Sequence, residues 1–179
     1  MADLSILVLA DDLTGALEVG AKFADRGVPA PVICRSSVEP SCHEGPGRLC
    51  VLDMETRHLT PAEAAEAVRS LACHARDHKV DFLYKKTDST LRGNIGSELQ
   101  ALLSAFPGEP LVYAPAYPRL GRTVKDGILF VDGVPVSRTR FASDPLEPVR
   151  ESNIRILLED AGCPVAGLVR SVREIGAGC

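Results

Sequence analysis

What most constrains this chain is an alternation of two periods. Short, continuous apolar runs are each followed by a stretch with apolar residues at helical spacing. The first run, Leu4-Ser5-Ile6-Leu7-Val8-Leu9-Ala10, is apolar at almost every position. Successive strand residues face opposite sides of a sheet, so such a run predicts a central parallel strand covered on both faces. A helix from about Thr14 to Arg26 follows, with Ala16, Val19, Gly20, Phe23 and Ala24 on one face and Gly27 as its stop. Further strands are expected at Pro31–Cys34, Leu49–Asp53, Asp81–Lys85 and Leu111–Ala114. A second helix starts at Thr60, with Pro61 in its first turn and Glu63 completing a capping box; Ala64, Val68, Leu71, Ala72 and Ala75 form its buried face. A third helix, capped by Asn94, carries Ile95, Leu99, Leu102, Leu103 and Phe106 as an apolar stripe. The alternation predicts an α/β fold: a doubly wound, mostly parallel sheet with helices on both faces.

The pattern then changes. Asp132-Gly133 separates Ile128–Val131 from Val134-Pro135-Val136, so a β-hairpin insertion is expected near residues 127–136, with Pro135 on an edge arm. A last helix over Ser152–Asp160 and a strand over Val165–Val169 complete the pattern, and the Pro-, Gly- and Ser-rich stretch 36–47 is expected to be a loop. The expectation is one α/β domain over residues 1–179.

Composition matters chiefly for what it excludes. With 20 basic against 24 acidic residues, the net charge of −4 argues against a nucleic-acid partner. No stretch approaches the roughly 20 apolar residues that span a bilayer, and Met1-Ala2-Asp3-Leu4 lacks the basic start of a signal peptide. The six cysteines form no C-x-x-C pair, which predicts thiols in a reducing, cytoplasmic compartment and no metal site. His74 and His78 lie four apart on a helix without the Glu of a zincin pattern. P-loop, G-x-G-x-x-G and G-x-S-x-G patterns are all absent.

Open parallel sheets bind ligands beyond the C-terminal ends of their strands. Here those ends deliver Asp11 and Asp12; Asp53, Glu55, Thr56 and Arg57; Lys85, Lys86, Thr87, Asp88, Ser89, Thr90 and Arg92; and Pro115-Ala116-Tyr117-Pro118. One of Asp11 and Asp12 is expected to cap the first helix, leaving the other to face the crevice as hydroxyl acceptor or general base. Lys85, Lys86 and Arg92 lie near a helix N-terminus, a setting that favours anions, and Arg92 is suited to gripping a carboxylate with both arms. Gly93 permits close backbone approach. Cations for an acid, with Asp and Thr for hydroxyls, suit a small polyhydroxy carboxylate.

Ala10-Asp11-Asp12-Leu13-Thr14-Gly15-Ala16, Thr56-Arg57, Lys85-Lys86-Thr87-Asp88-Ser89-Thr90-Leu91-Arg92-Gly93-Asn94, Pro115-Ala116-Tyr117-Pro118 and Gly121-Arg122-Thr123 occur in the order and spacing of a known family. On these segments the chain resembles the four-carbon acid sugar kinases, which phosphorylate threonate, erythronate or 3-oxo-tetronate with ATP. The resemblance implies that this domain holds the sugar acid, with substrate contacts at Asp11, Arg57, Lys85, Lys86, Thr87 and Asp88; Ser89 and Arg92 on the same loop are expected to add to them, and Asp11 or Asp12 is expected to be the catalytic base. It implies that ATP, with Mg2+, binds mainly on a C-terminal nucleotide-binding domain not contained in these 179 residues. It leaves a homo-oligomer open as an assembly. A second expectation, from a different class, is a non-catalytic module that binds a small hydroxy acid. A haloacid dehalogenase-type phosphatase is disfavoured, because its two motif Asp residues are separated by one residue and these are adjacent.

Overall fold

The computed structural model describes residues 4–34, 48–169 and 174. The loop expected over 36–47 and the C-terminal tail lie outside the described residues. Strand β1 (Ile6–Ala10) leads into helix α1 (Leu13–Ala24), followed by β2 (Val32–Cys34), β3 (Leu49–Asp53), α2 (Pro61–Asp77), β4 (Phe82–Lys86) and α3 (Ile95–Ala105). The four strands form one parallel sheet in the order β2-β3-β1-β4.

Strand alternation explains why this sheet is covered on both sides. Val8, Ala10, Leu49 and Val51 point one way and pack on Ala16 and Val19 of α1. Leu7, Leu9, Cys50 and Leu52 point the other way, into a larger core with Val68 and Ala72 of α2 and Leu99 and Leu102 of α3. α2 begins as its sequence predicts. The Thr60 side chain accepts from the Glu63 N–H, and the Glu63 carboxylate accepts from Thr60 in return.

A second, antiparallel sheet has the order β5-β6-β7, formed by Arg122–Lys125, Ile128–Val131 and Val134–Pro135. The expected hairpin is there, with Pro135 on the edge strand. The added strand β5 turns into β6 through Asp126-Gly127, a repeat of the Asp132-Gly133 turn. All four turn residues have positive φ (48°, 79°, 50° and 81°), as a two-residue type I′ turn requires. Leu129 and Val131 of β6, with Val136 just after β7, enter the core beside Leu158 of helix α4 (Ile154–Asp160).

Two expected strands do not form. Residues 111–116 run without strand structure and take part in no backbone ladder with β4, which remains an edge with Phe82 58% exposed. Val165–Val169 is likewise not a strand. In both cases an apolar run satisfied the local pattern, but a strand also needs a neighbour to pair with. The expectation of six thiols is corrected at Cys50, which is disulfide-bonded; Cys73 and Cys163 are free thiols. No helix among the described residues is long and apolar enough to cross a membrane.

Candidate functional site

The C-terminal ends of β1, β3 and β4 bring three loops together as the sheet topology predicts. The end of β1 supplies two aspartates with different tasks. Asp12 is the N-cap of α1: its Oδ1 accepts from the Gly15 N–H at 2.8 Å. Its Oδ2 accepts from Arg57 Nη1 at 2.6 Å. Asp11 is 2% exposed. Its Oδ2 accepts from Arg57 Nε at 2.8 Å, while its Oδ1 is buried with no hydrogen-bond partner among the described residues.

The loop after β3 is tied down at several points, which explains why Arg57 projects so definitely. The Asp11 carbonyl accepts from the N–H groups of Thr56 and Arg57 at 3.0 and 3.2 Å. Asn94 makes no side-chain cap bond to α3 and instead donates to the carbonyls of Thr56 (3.0 Å) and Leu59 (2.8 Å), a correction to its expected role. Gly93, at φ 85°, lies against Arg57: a Cβ there would stand 3.0 Å from Arg57 Cγ. Two non-glycine residues, Glu55 (φ 49°) and Leu91 (φ 66°), adopt left-handed backbone just before Thr56 and Arg92. Strained backbone of this kind is concentrated at functional sites.

The loop after β4 carries the densest hydrogen bonding. Asp88 accepts from Arg92 Nε (2.8 Å) and Nη2 (3.1 Å) and from the Thr90 hydroxyl, and Arg57 Nη2 lies 4.0 Å away. Burial alone would raise the Asp88 pKa, but the Arg92 and Thr90 hydrogen bonds and the charges of Arg92 and Arg57 hold it at about 2. Arg92 is pushed above its ordinary value, first by its bond to Asp88. Its free arm reaches Asp144 at 3.3 Å. The expected two-armed grip is therefore made within the chain, on Asp88, and not presented outward to a ligand.

The two adjacent lysines divide between the faces of the sheet because they are successive strand residues. Lys86 lies on the α1 side, 3.7 Å from Glu18, and donates to the Thr87 carbonyl at 2.9 Å. Lys85 lies on the α3 side, where its Nζ meets Glu98 Oε2 at 2.9 Å with both side chains almost fully buried (3% and 1% exposed). Glu98 thus offsets the Lys85 charge, while Lys85 also lines the cleft along β4. Thr87 Oγ1 lies 3.3 Å from the Tyr113 hydroxyl. Burial raises the pKa of that hydroxyl, the Thr87 bond opposes the rise, and the negative charges of Asp11, Asp88 and Glu98 add to it. A cleft of about 590 Å³, lined by Lys86, Thr87, Ser89, Tyr113 and Tyr117 among others, runs along the open edge of β4. It adjoins the aspartate–arginine cluster without including Asp11, Asp12 or Arg57 in its lining.

Sequence reasoning thus grouped Asp11, Asp12, Arg57, Asp88 and Arg92 correctly in space, and missed Glu98, Tyr113 and Asp144. Glu98 had a legible signal: it falls on the stripe of Ile95 and Leu102, a charge at a position that helical spacing turns inward. Among the described residues, no group of three or more His, Cys, Asp or Glu side chains could hold a metal ion.

A family described as the sugar-binding N-terminal domain matches residues 6–173. The chain is 37% identical over 152 residues to a D-threonate kinase of Salmonella typhimurium, covering 84% of this chain and 35% of that protein. It is 32% identical over 173 residues to a 3-oxo-tetronate kinase of Brucella melitensis, covering 94% of this chain and 39% of that one. The chain therefore spans little more than a third of these relatives' length. A solved domain of unknown function from Bordetella bronchiseptica, a domain-swapped dimer with bound citrate, superposes with a TM-score of 0.77 at 35% identity, over 87% of this chain and 40% of that one.

Proposed function

From the premise that the chain belongs to the sugar-binding N-terminal domain family of the four-carbon acid sugar kinases, we propose that it is the substrate-binding half of an ATP-dependent kinase acting on a hydroxyl of threonate, erythronate or 3-oxo-tetronate. The observation that carries this reading is the buried, unpartnered Asp11 Oδ1 at the C-terminal end of the sheet. A buried carboxylate oxygen without a partner is costly, and a sugar hydroxyl is a donor of the right size. Arg57, bonded to Oδ2, holds the carboxylate and leaves Oδ1 without a hydrogen-bond partner among the described residues.

In this reading Asp11 orients the reacting hydroxyl and takes its proton, as a positioned general base. Asp12 is the helix cap and the second anchor of Arg57. Lys86, Thr87 and Ser89, which line the neighbouring cleft, hold the carboxylate and remaining hydroxyls. Asp88 and Arg92 brace the loop that presents them. Positioning of this kind is the main protein contribution to phosphoryl transfer.

The described residues do not fit a nucleotide with its metal. Asp12 and Asp88 are paired with guanidinium groups, and no group of three or more His, Cys, Asp or Glu side chains among the described residues could hold a metal ion. We therefore assign ATP, and the magnesium that accompanies it, to a separate C-terminal domain, in keeping with the longer relatives. A cytoplasmic setting, where ATP is supplied, belongs to the same proposal, with the Cys50 disulfide as the feature at odds with it. A homo-oligomer also belongs to it, by likeness to the dimeric Bordetella protein.

A second reading, for the chain on its own, is a non-catalytic hydroxy-acid binding module, since the chain spans little more than a third of its relatives' length. Turnover separates the two. The chain is joined to the part of the Salmonella D-threonate kinase that lies beyond the matched region and supplied with ATP and a tetronate panel. ATP-dependent phosphorylation is expected, and binding without turnover would establish the second reading.

A further inference from the structure

We infer that Glu98 and Thr56 form a positioning link that sets the Arg57 guanidinium, with Lys85 as its counter-charge. This inference deepens the substrate-site reading above and rests on it for its functional meaning.

Lys85 on β4 and Glu98 on α3 are both buried, and their charges meet at 2.9 Å. A buried ion pair is weak evidence for stability, because desolvation offsets much of its attraction and an apolar pair of similar volume often serves as well. What an apolar pair cannot supply is a directed hydrogen bond. Glu98 makes one: while Oε2 faces Lys85, Oε1 accepts the hydroxyl proton of Thr56. Thr56 is itself fully buried and immediately precedes Arg57.

The neighbouring ties converge on the same point. The Asp11 carbonyl holds the Thr56 and Arg57 N–H groups, and Asn94 holds the Thr56 and Leu59 carbonyls. Those contacts fix the loop's backbone from the β1 and α3 sides. The Thr56 hydroxyl adds a tie from the loop's own side chain, and it runs through Glu98 to the ammonium of Lys85, which also donates to the Lys86 carbonyl at 3.2 Å. That carbonyl in turn accepts from the Asp11 N–H at 3.3 Å. The path therefore closes on Asp11, the residue that Arg57 grips. Lys85 brings its charge to the crevice indirectly, by holding the carboxylate that holds the arginine's loop.

The test uses Thr56→Val, which keeps shape and removes the hydroxyl, with Thr56→Ser as rescue and Glu98→Gln as an independent variant. Two readouts are compared: hydrogen-exchange protection of the Arg57 Nε–H by NMR, and affinity for D-threonate by calorimetry. Thr56→Val should lower the protection at least tenfold and weaken binding at least tenfold, while the amide spectrum of the sheet is retained. Thr56→Ser should restore both, and Glu98→Gln should fall between. Unchanged Arg57 protection in folded Thr56→Val, or loss that Thr56→Ser fails to restore, would overturn the inference. If protection behaves as stated but the wild-type chain binds no tetronate, the positioning link stands and the substrate reading fails.

Discussion

Replacing Asp88 with Asn should remove a defined, pH-dependent part of the stability. The Asp88 carboxylate accepts from two Arg92 nitrogens, the Thr90 hydroxyl, and the N–H groups of Thr90 and Arg92 at 3.3 Å. Its pKa lies at about 2 in the folded chain against an ordinary 3.8. The folded state thus binds the proton more weakly than the unfolded state, so the ionised carboxylate stabilises the fold above about pH 4. That contribution is lost as pH falls from 3.8 through about 2. Its size follows from the difference in pKa and is about 2 kcal/mol. The side chain is only 10% exposed, so solvent screening does not erase it. Urea unfolding at pH 7 should show Asp88→Asn less stable by about 2 kcal/mol. The gap should narrow steadily below pH 4 and be mostly gone by pH 2, where the wild-type carboxyl is half protonated in the fold and almost fully protonated in the unfolded chain. Glu18, Glu63 and Asp81, whose pKa values are also lowered, take their partners from outside the Asp88–Arg92–Thr90 cluster and cancel between the two proteins. A gap that keeps its size from pH 7 to pH 2 would refute the reasoning and assign the loss to packing instead of charge.

Other outcomes follow from the same geometry. Gly93→Ala places a Cβ 3.0 Å from Arg57 Cγ at a φ of 85°; the left-handed backbone alone costs about 1–2 kcal/mol, and both melting temperature and D-threonate affinity should fall. Lys85→Met leaves Glu98 charged and buried without its counter-ion, which should cost about 3–5 kcal/mol. Adding Glu98→Leu should recover most of that stability in chemical denaturation without recovering D-threonate affinity.

The fold was legible where local signals and partners coincided. The Thr60-Pro61-Glu63 box marks the start of α2 in both sequence and structure. Leu49–Asp53 reads as a buried strand because it is one, with every residue buried between β1 and β2. Leu111–Ala114 carries the same apolar signature and does not form a strand, since pairing is a long-range property that no short run encodes. β5 falls outside the expected hairpin although Asp126-Gly127 repeats the Asp132-Gly133 signal, because Arg122, Thr123 and Lys125 leave Val124 as the one apolar residue of the strand. Alternation along β5 puts Arg122 and Val124 on its half-buried face and Thr123 and Lys125 on its exposed face.

The site was legible as a set of residues and not as a set of partners. Sheet topology places Asp11, Arg57 and Asp88 at one edge, and the alternation of the sequence predicts that. Which cation meets which carboxylate depends on side-chain direction. Lys85 and Lys86 are neighbours in sequence and lie on opposite faces of β4, so one meets Glu98 and the other lies beside Glu18. The crevice expected to be rich in open positive charge is instead a network of matched pairs, and its distinguishing group is the buried Asp11 Oδ1, which has no hydrogen-bond partner among the described residues.

That oxygen gives the most direct measurement. D-threonate is titrated calorimetrically into the wild-type chain and into Asp11→Asn, with circular dichroism confirming that both are folded. Saturable binding to the wild type, weakened at least tenfold in the variant (about 1.4 kcal/mol), is the predicted result. Equal affinity in the two proteins, or no binding to the folded wild type, would contradict the claim that Asp11 holds a sugar hydroxyl.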